Sequence, residues 1–305
     1  MTDIQKRILQ EVADLHQVPE GAYNFRVNGQ SVGRSSTSNV EISSKTDGSG
    51  LEIRVKPGTK NESVHIPVII SESGLSEVVY NDFFIGEDAD VLIVAGCGIN
   101  NCGNQDSQHD GIHRFFLGKG ARIRYVEKHY GEGDGTGQRI LNPTTELYLE
   151  ENSYASLEMV QIRGVDSTER VTRADVAAGA TLIIQERLMT HGSQSAVSAY
   201  QVNLNGTDAS TDLVSRSVAR DSSYQKFDAL IRGNTACRGH AACDAIIMDH
   251  ASVLAVPQLE ANHVDAALIH EAAIGKIAGD QLVKLMTLGL TEAEAEEQII
   301  NGFLK

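Results

Sequence analysis

Cationic residues are scarce in this chain. Only 26 Lys and Arg stand against 41 Asp and Glu, a net charge of −15 over 305 residues. Such a surface repels phosphate backbones, and no stretch of Lys and Arg interleaved with aromatics offsets it, so nucleic acid is excluded as an expected partner. No apolar run approaches the length needed to cross a bilayer, and the opening residues MTDIQKRILQEVADLH lack the apolar core of a secretory signal. A cytoplasmic protein with no membrane partner is expected. Cysteine is sparse too: Cys97, Cys102, Cys237 and Cys243 are too few for a disulfide framework and, in a reducing compartment, read as free thiols or metal ligands. Nucleotide-binding motifs are missing. There is no P-loop and no GxGxxG between strand and helix, and GEGDGTG at 131–137 has no phosphate-binding lysine. No GxSxG elbow occurs, and AACDA around Cys243 lacks the flanking glycines of a nucleophile elbow.

What the chain does have is strands. The segments DADVLIVAG, KGARIRYVEK, NSYASLEMVQI, AAGATLIIQERL, TDASTDLVSRSV and HAACDAIIM alternate or are β-branched, and most follow a turn residue and an alanine. The marker alanines are Ala89, Ala121, Ala155, Ala180, Ala209 and Ala242, at steps of 32, 34, 25, 29 and 33 residues. Steps of this size in a strand-rich chain suggest stacked coils, a mainly β, parallel β-helix fold, with a β-sandwich as the alternative because the steps are uneven. Ahead of the strands, Ile4, Ile8, Val12 and Leu15 share one face of a short helix over 4–15. Beyond about residue 256, Leu282, Leu285 and Met286 take helical spacing before Gly289, and Thr291 with Glu294 forms a capping-box pair for a last helix. The expected organisation is a helical segment over 1–30, a β-helix core over 31–265 and a C-terminal helical segment over 266–305.

Two places carry chemistry. CGINNCGNQDSQHDGIH at 97–113 holds Cys97, Cys102, His109 and His113, residue types that ligate zinc and other thiophilic metals. Only six residues separate Cys102 from His109, too short for an ordinary finger loop. The plain alternative makes Cys97 a buried strand-end thiol, with Asn100, Asn101, Asn104, Asp106 and Gly111 as turn residues. The second place is split between Cys243-Asp244 in HAACDAIIM and His270-Glu271 in LIHEAAIGKI. Neighbours on a strand face opposite ways, so His270 and Glu271 can share one ligand sphere only at a bend or across an interface.

At these residues the sequence resembles the SufB/SufD family, scaffold subunits of the Suf iron–sulfur assembly system. LIHEAAIGKIAGDQLVKLMTLGLTEAEAEEQIINGF is similar to the family's C-terminal signature. ACDAIIM resembles its Cys-Asp-Ser strand, and VAGCGINN with HRFFLGKGARIRYVEKH resembles its Gly-Cys-Thr-Ala-Pro segment and the strands that follow. The resemblance runs from about residue 60 to the end. It implies a right-handed parallel β-helix flanked by helices, a Suf-type ABC ATPase bound through the C-terminal helices, and a transient iron–sulfur cluster built where two scaffold subunits pair. Residue by residue, it implies that Cys243 is the scaffold cysteine, that Glu271 and His270 act beside it as cluster or metal ligands, and that Cys97 receives persulfide sulfur that travels through the β-helix to Cys243.

The sequence also departs from the family. Gly98-Ile99-Asn100 replaces Thr-Ala-Pro, Cys102 and His109 have no counterpart, and the N-terminal region is short beside SufB. Cys243, His270 and Glu271 on one chain point to a homodimer, supplied by a sulfur donor and emptied by apo-protein acceptors. The chain would then be an assembly scaffold and not an enzyme, with ATP hydrolysis in the partner. Two other function classes compete: a zinc-dependent hydrolase using 97–113, and a purely structural β-helix platform.

Overall fold

Each coil of the molecule turns a corner on the same short device. Asp88, Gly120, Asn152, Gly179 and Asp208 all take positive φ, and each is followed by a small buried residue. Asn, Asp and Gly are the residue types that enter this left-handed region at least cost. The amide of each donates to the carbonyl of the next coil, as Asp88 to Lys119, Gly120 to Glu151 and Asn152 to Ala178, so the ladder continues round the corner. The small residue behind it then stacks in a column of Thr59, Ala89, Ala121, Ser153, Ala180, Ala209, Cys237 and Ala266, at intervals of 27 to 32 residues. Two of the expected marker alanines stand outside it. Ala155 lies further along its strand beside Ile123, and Ala242 is level with Val214, which is why the sequence steps looked uneven.

The computed structural model describes every residue except 16, 18 and 20. The chain runs α1 (Asp3–Ala13), β1 (Ala22–Val27), β2 (Gln30–Ser35), β3 (Val40–Ser44), β4 (Gly50–Val55), β5 (Lys60–His65) and β6 (Val68–Ile70). It continues through β7 (Ser76–Ile85), β8 (Asp90–Asn100), β9 (Ser107–Leu117), β10 (Arg122–Glu132), β11 (Arg139–Leu141), β12 (Thr144–Leu149) and β13 (Tyr154–Arg163). Then come β14 (Ser167–Val176), β15 (Thr181–Thr190), β16 (Ser195–Leu204), β17 (Ser210–Ala219), β18 (Tyr224–Gly233), β19 (Cys237–Ile247), β20 (Ser252–Ala261) and β21 (Ala266–Gly275). Helices α2 (Gly279–Met286) and α3 (Glu292–Phe303) close it.

The strands form two sheets. One runs β2-β1-β5-β8-β10-β13-β15-β17-β19-β21, the other β20-β18-β16-β14-β11-β9-β7-β4-β3. Pairing is parallel throughout the stack, except that β1–β2 and β3–β4 are antiparallel at its start. This is the expected parallel β-solenoid and not a sandwich. Its strands outrun the 31–265 span at both ends, beginning at Ala22 and finishing at Gly275.

The helices pack unevenly. Helix α1 lies on the outer face of β8, burying Ile8, Leu9 and Val12. Gly96 and Gly98 make this possible, because a Cβ on either would stand 2.1 Å from Val12 or Ile8. Of the expected stripe, Ile4 is left exposed and Leu9 takes up burial in its place. At the other end α3 opens with the expected Thr291–Glu294 capping box and lays Ile300 against Val218 and Met248 on the outside of the stack. Helix α2 buries none of its residues, and Val283, Met286 and the following Leu288 are exposed.

A thiol-bearing polar lumen in a β-solenoid

Strand alternation sends every second side chain into the lumen. Along β10 these are Ile123, Tyr125, Glu127 and His129; along β15 they are Leu182, Ile184, Glu186 and Leu188. The first half of each strand in this sheet is apolar and the second half mostly polar. The opposite sheet reverses the order: β9 puts His109 and His113 before Phe115 and Leu117, and β14 puts Thr168, Arg170 and Thr172 before Ala174 and Val176. The polar halves meet at one corner, giving a lumen with a greasy side and a charged side.

The charged side is a connected network. Arg170 is bonded to the Glu127 carboxylate, and its Nε lies 3.7 Å from Glu186, with all three side chains under 5% exposed. Glu186 accepts from Ser198 at 2.5 Å and from Ser215 at 2.6 Å. Tyr125 donates to Glu127 at 3.1 Å, and His113 Nδ1 meets the Tyr125 hydroxyl at 2.8 Å. His129 Nδ1 reaches Gln161 Oε1 at 3.2 Å, and Thr168 donates to the same oxygen at 2.9 Å. Burial works against the charge on Glu127, yet Arg170 and His129 hold its carboxyl well below the usual range.

The two thiols implicated by the sequence stand at opposite ends of this network. Cys97 is buried on β8, beside His129 in register. Burial acts to raise its pKa, but the imidazoles of His109 and His129 outweigh it and bring the thiol to about 7. Cys243 is buried on β19, in register with Ser215, and burial together with the Glu186 and Asp244 carboxylates pushes its thiol up to about 12. Five rungs separate the two along β10, β13, β15 and β17, roughly 24 Å at about 4.8 Å per rung.

At the far end His270 lies on β21 level with Ala241, facing inward with Cys243, and both its ring nitrogens are buried without a partner. Glu271 points the other way. Its carboxylate is on the outer surface, 3.6 Å from His240 Nε2, whose Nδ1 is 2.7 Å from Asp212. The structure therefore turns Cys243 and His270 to the same inward face, on neighbouring strands, and leaves Glu271 on the opposite face of the same strand as His270.

The 97–113 motif divides as well. Cys97, His109 and His113 enter the lumen, whereas Cys102 sits exposed in the turn with its thiol on Asn100 Oδ1 at 3.3 Å. Gly111, expected in a turn, lies in the middle of β9 facing inward. Among the described residues no three His, Cys, Asp or Glu side chains are placed to hold one metal ion, so the structure lends the zinc reading no support. Sequence reasoning missed Glu127, His129, Arg170 and Glu186 as lumen residues. Their signal was parity, since each continues the inward register of the apolar residues beside it.

A parallel β-solenoid with thiols at the two ends of a polar lumen defines the class. The SUF system FeS cluster assembly SufBD core domain matches residues 71–303, and the chain belongs to that family. It is 27% identical over 259 residues to an iron–sulfur cluster assembly SufBD family protein of Methanothermobacter thermautotrophicus, covering 84% of this chain and 62% of that one. A relative with the same family name in Methanocaldococcus jannaschii is 28% identical over 257 residues, 83% of this chain and 80% of its own. The iron–sulfur cluster assembly protein SufB of Bacillus subtilis is 26% identical over 267 residues, 84% of this chain and 55% of that protein. The chain thus spans less than two thirds of the Methanothermobacter and Bacillus relatives. No described helix is long and apolar enough to cross a membrane.

Proposed function

We propose that this chain is a scaffold on which an iron–sulfur cluster is assembled and then handed on. The observation that carries the reading is the pair at the open end of the lumen: a buried thiol, Cys243, and an imidazole, His270, whose two nitrogens have no partner. A thiolate and an imidazole suit iron, and a mixed ligand set lets a cluster leave. One chain offers two inward donors, fewer than the four a cluster takes. A second copy supplies the rest. The last coil supports this, because β20 and β21 are unpaired edges and Leu254, Val264 and Ile269 are exposed there. In that homodimer Glu271, outward on its own chain, becomes available to the shared site.

The remaining roles follow the same frame. Cys97 accepts sulfur from a donor, and the polar side of the lumen is the route towards Cys243. The exposed apolar face of α2 suits the docking of an ABC-type ATPase, whose closing would open the interface; α3 is already committed to the stack. The setting is cytoplasmic, with apo-proteins as cluster acceptors. The test is anaerobic reconstitution with ferrous iron and sulfide. The wild-type chain should gain iron–sulfur absorbance and Cys243→Ser should not; a full yield from Cys243→Ser would overturn the assignment. Deleting residues 279–305 should abolish co-purification with the ATPase, and retained binding would refute that partner.

A further inference from the structure

His109 is tightly held in the lumen. It projects inward from β9, is 3% exposed, and its Nδ1 lies 3.0 Å from Glu77 Oε1 on the neighbouring strand β7. Arg26 holds the other oxygen of Glu77 at 2.7 Å, which fixes the carboxylate. With Nδ1–H committed to Glu77, Nε2 is left on the lumen side, where Cys97 also lies and where a Cys97 thiolate favours the protonated ring. His113 is fixed in the same manner, its Nδ1 on the Tyr125 hydroxyl. Gly111, between the two histidines, keeps a side chain away from both rings: a Cβ there would stand 3.4 Å from His109 Nε2 and 3.3 Å from His113 Nε2.

We propose that His109 is the general acid–base of sulfur acceptance at Cys97, that Glu77 is its positioning residue, and that the face over Gly111 seats the incoming sulfur. This rests on the reading that Cys97 accepts sulfur. The substrate class is a persulfide or polysulfide. His109 takes the Cys97 proton, and the thiolate attacks the outer sulfur of the donor R–S–SH. A new S–S bond forms on Cys97 as the donor S–S bond breaks, its electron pair leaving on the donor sulfur. That thiolate recovers the proton from the His109 imidazolium, so Cys97–SH and R–S–SH become Cys97–S–SH and R–SH with no net oxidation. The arrangement is that of a nucleophile, a base and an orienting carboxylate. The other charged or titratable groups on this side are His129, next to Cys97 on the adjacent strand, with His113, Tyr125, Glu127 and Arg170 behind. In that setting each group shifts the other, the imidazole drawing the thiol's pKa down and the thiolate drawing the imidazole's up, which favours the thiolate–imidazolium pair.

The experiment measures the rate at which inorganic polysulfide persulfidates Cys97 in the full chain from pH 5 to 9, read by mass spectrometry after capping. The wild-type rate should rise through a midpoint near pH 7. Glu77→Gln should move the midpoint up by about one unit and slow the reaction about tenfold at pH 7, with the melting temperature recorded alongside. His109→Gln, an independent replacement that leaves the Glu77–Arg26 ion pair in place, should shift it at least as far. Unchanged midpoints in both variants would overturn the proposal. Cluster assembly from persulfide sulfur is scored separately with Cys97→Ser. If that variant assembles normally while the midpoints shift as expected, the dyad stands and the scaffold role of Cys97 falls. If assembly fails but the midpoints do not move, the reverse holds.

Discussion

Ile184 and Glu186 are two residues apart on β15, both inward and both under 5% exposed, yet they belong to different kinds of interior. On the Ile184 side the lumen is a column of Ile, Leu, Val and Phe whose burial contributes about 25 cal/mol per Å². On the Glu186 side every buried oxygen and nitrogen has to find a partner, because an unsatisfied one costs about 1–3 kcal/mol. Arg170, Ser198 and Ser215 meet that demand for Glu186. The apolar half alone is a sufficient reason for the solenoid to fold. A buried ion-pair network is no better than a hydrophobic filling of equal volume and is often worse. The charged half therefore points to chemistry, and it joins the two cysteines.

The sharpest way to test that division is to strike each half and read both stability and cluster formation. The largest contrast is in assembly. Cys243→Ser, at the end of the charged half, should abolish reconstitution, since iron displaces the proton of a thiol and binds its soft sulfur far more readily than it does an alcohol. Ile184→Val should lose about 0.5–1.5 kcal/mol and keep full cluster yield in the same absorbance assay. Loss of cluster in Ile184→Val would erase the division. Next comes Arg170→Met, which leaves Glu186 buried with no cation and Glu127 with His129 alone, and should cost about 3–5 kcal/mol in urea unfolding. Adding Glu127→Gln and Glu186→Gln to it should recover much of that loss, because no bare charge then remains. A single variant no less stable than wild type would mean that the network carries no net charge to balance.

Acidification separates the halves by a smaller margin. The Glu77 carboxyl is opposed by burial but held down to about 2 by His109 and Arg26. A folded-state pKa below the unfolded value near 4.5 gives stability that is present above about pH 5 and lost as pH falls towards 2. Glu77→Gln should therefore flatten the acid limb of the stability curve in that window. A Leu213→Val change in the apolar half should lower the whole curve without altering its slope. Equal slopes in wild type and Glu77→Gln would remove Glu77 from the account.

How much of this was legible in the sequence depends on which half is considered. The corner residues and small inward alanines carried the repeat, and the capping box at Thr291 placed α3, because both are local signals between neighbours in the chain. The charged half is closed by contacts between different coils, such as Glu127 with Arg170, 43 residues apart, and no local pattern pairs them. Parity alone was available: Glu127 and His129 continue the register of Ile123 and Tyr125. The same rule marked His270 and Glu271 as facing opposite ways, and the structure bears that out. Cys102 stood beside Cys97 as a candidate metal ligand because both lie in one motif, but β8 ends at Asn100, and beyond a strand end parity no longer applies.

The smallest effect is expected at Cys237, which tests whether a buried cysteine matters by position or by chemistry. It occupies the corner column at the apolar edge of the lumen, where other coils place Ala180, Ala209 and Ala266, and where Thr59 and Ser153 are also accepted. Those two hydroxyls show how a polar group is tolerated there. Thr59 Oγ1 donates to the Lys56 carbonyl and Ser153 Oγ to the Glu150 carbonyl, both at 2.7 Å and both three residues back. A serine at 237 has the carbonyl of Asn234 at the same offset. Cys237→Ser and Cys237→Ala should each stay within about 1 kcal/mol of wild type and give unchanged cluster yield, where Cys243→Ser gives none. A cluster defect in Cys237→Ala with its melting temperature intact would show that the chemistry extends across the lumen into the apolar half.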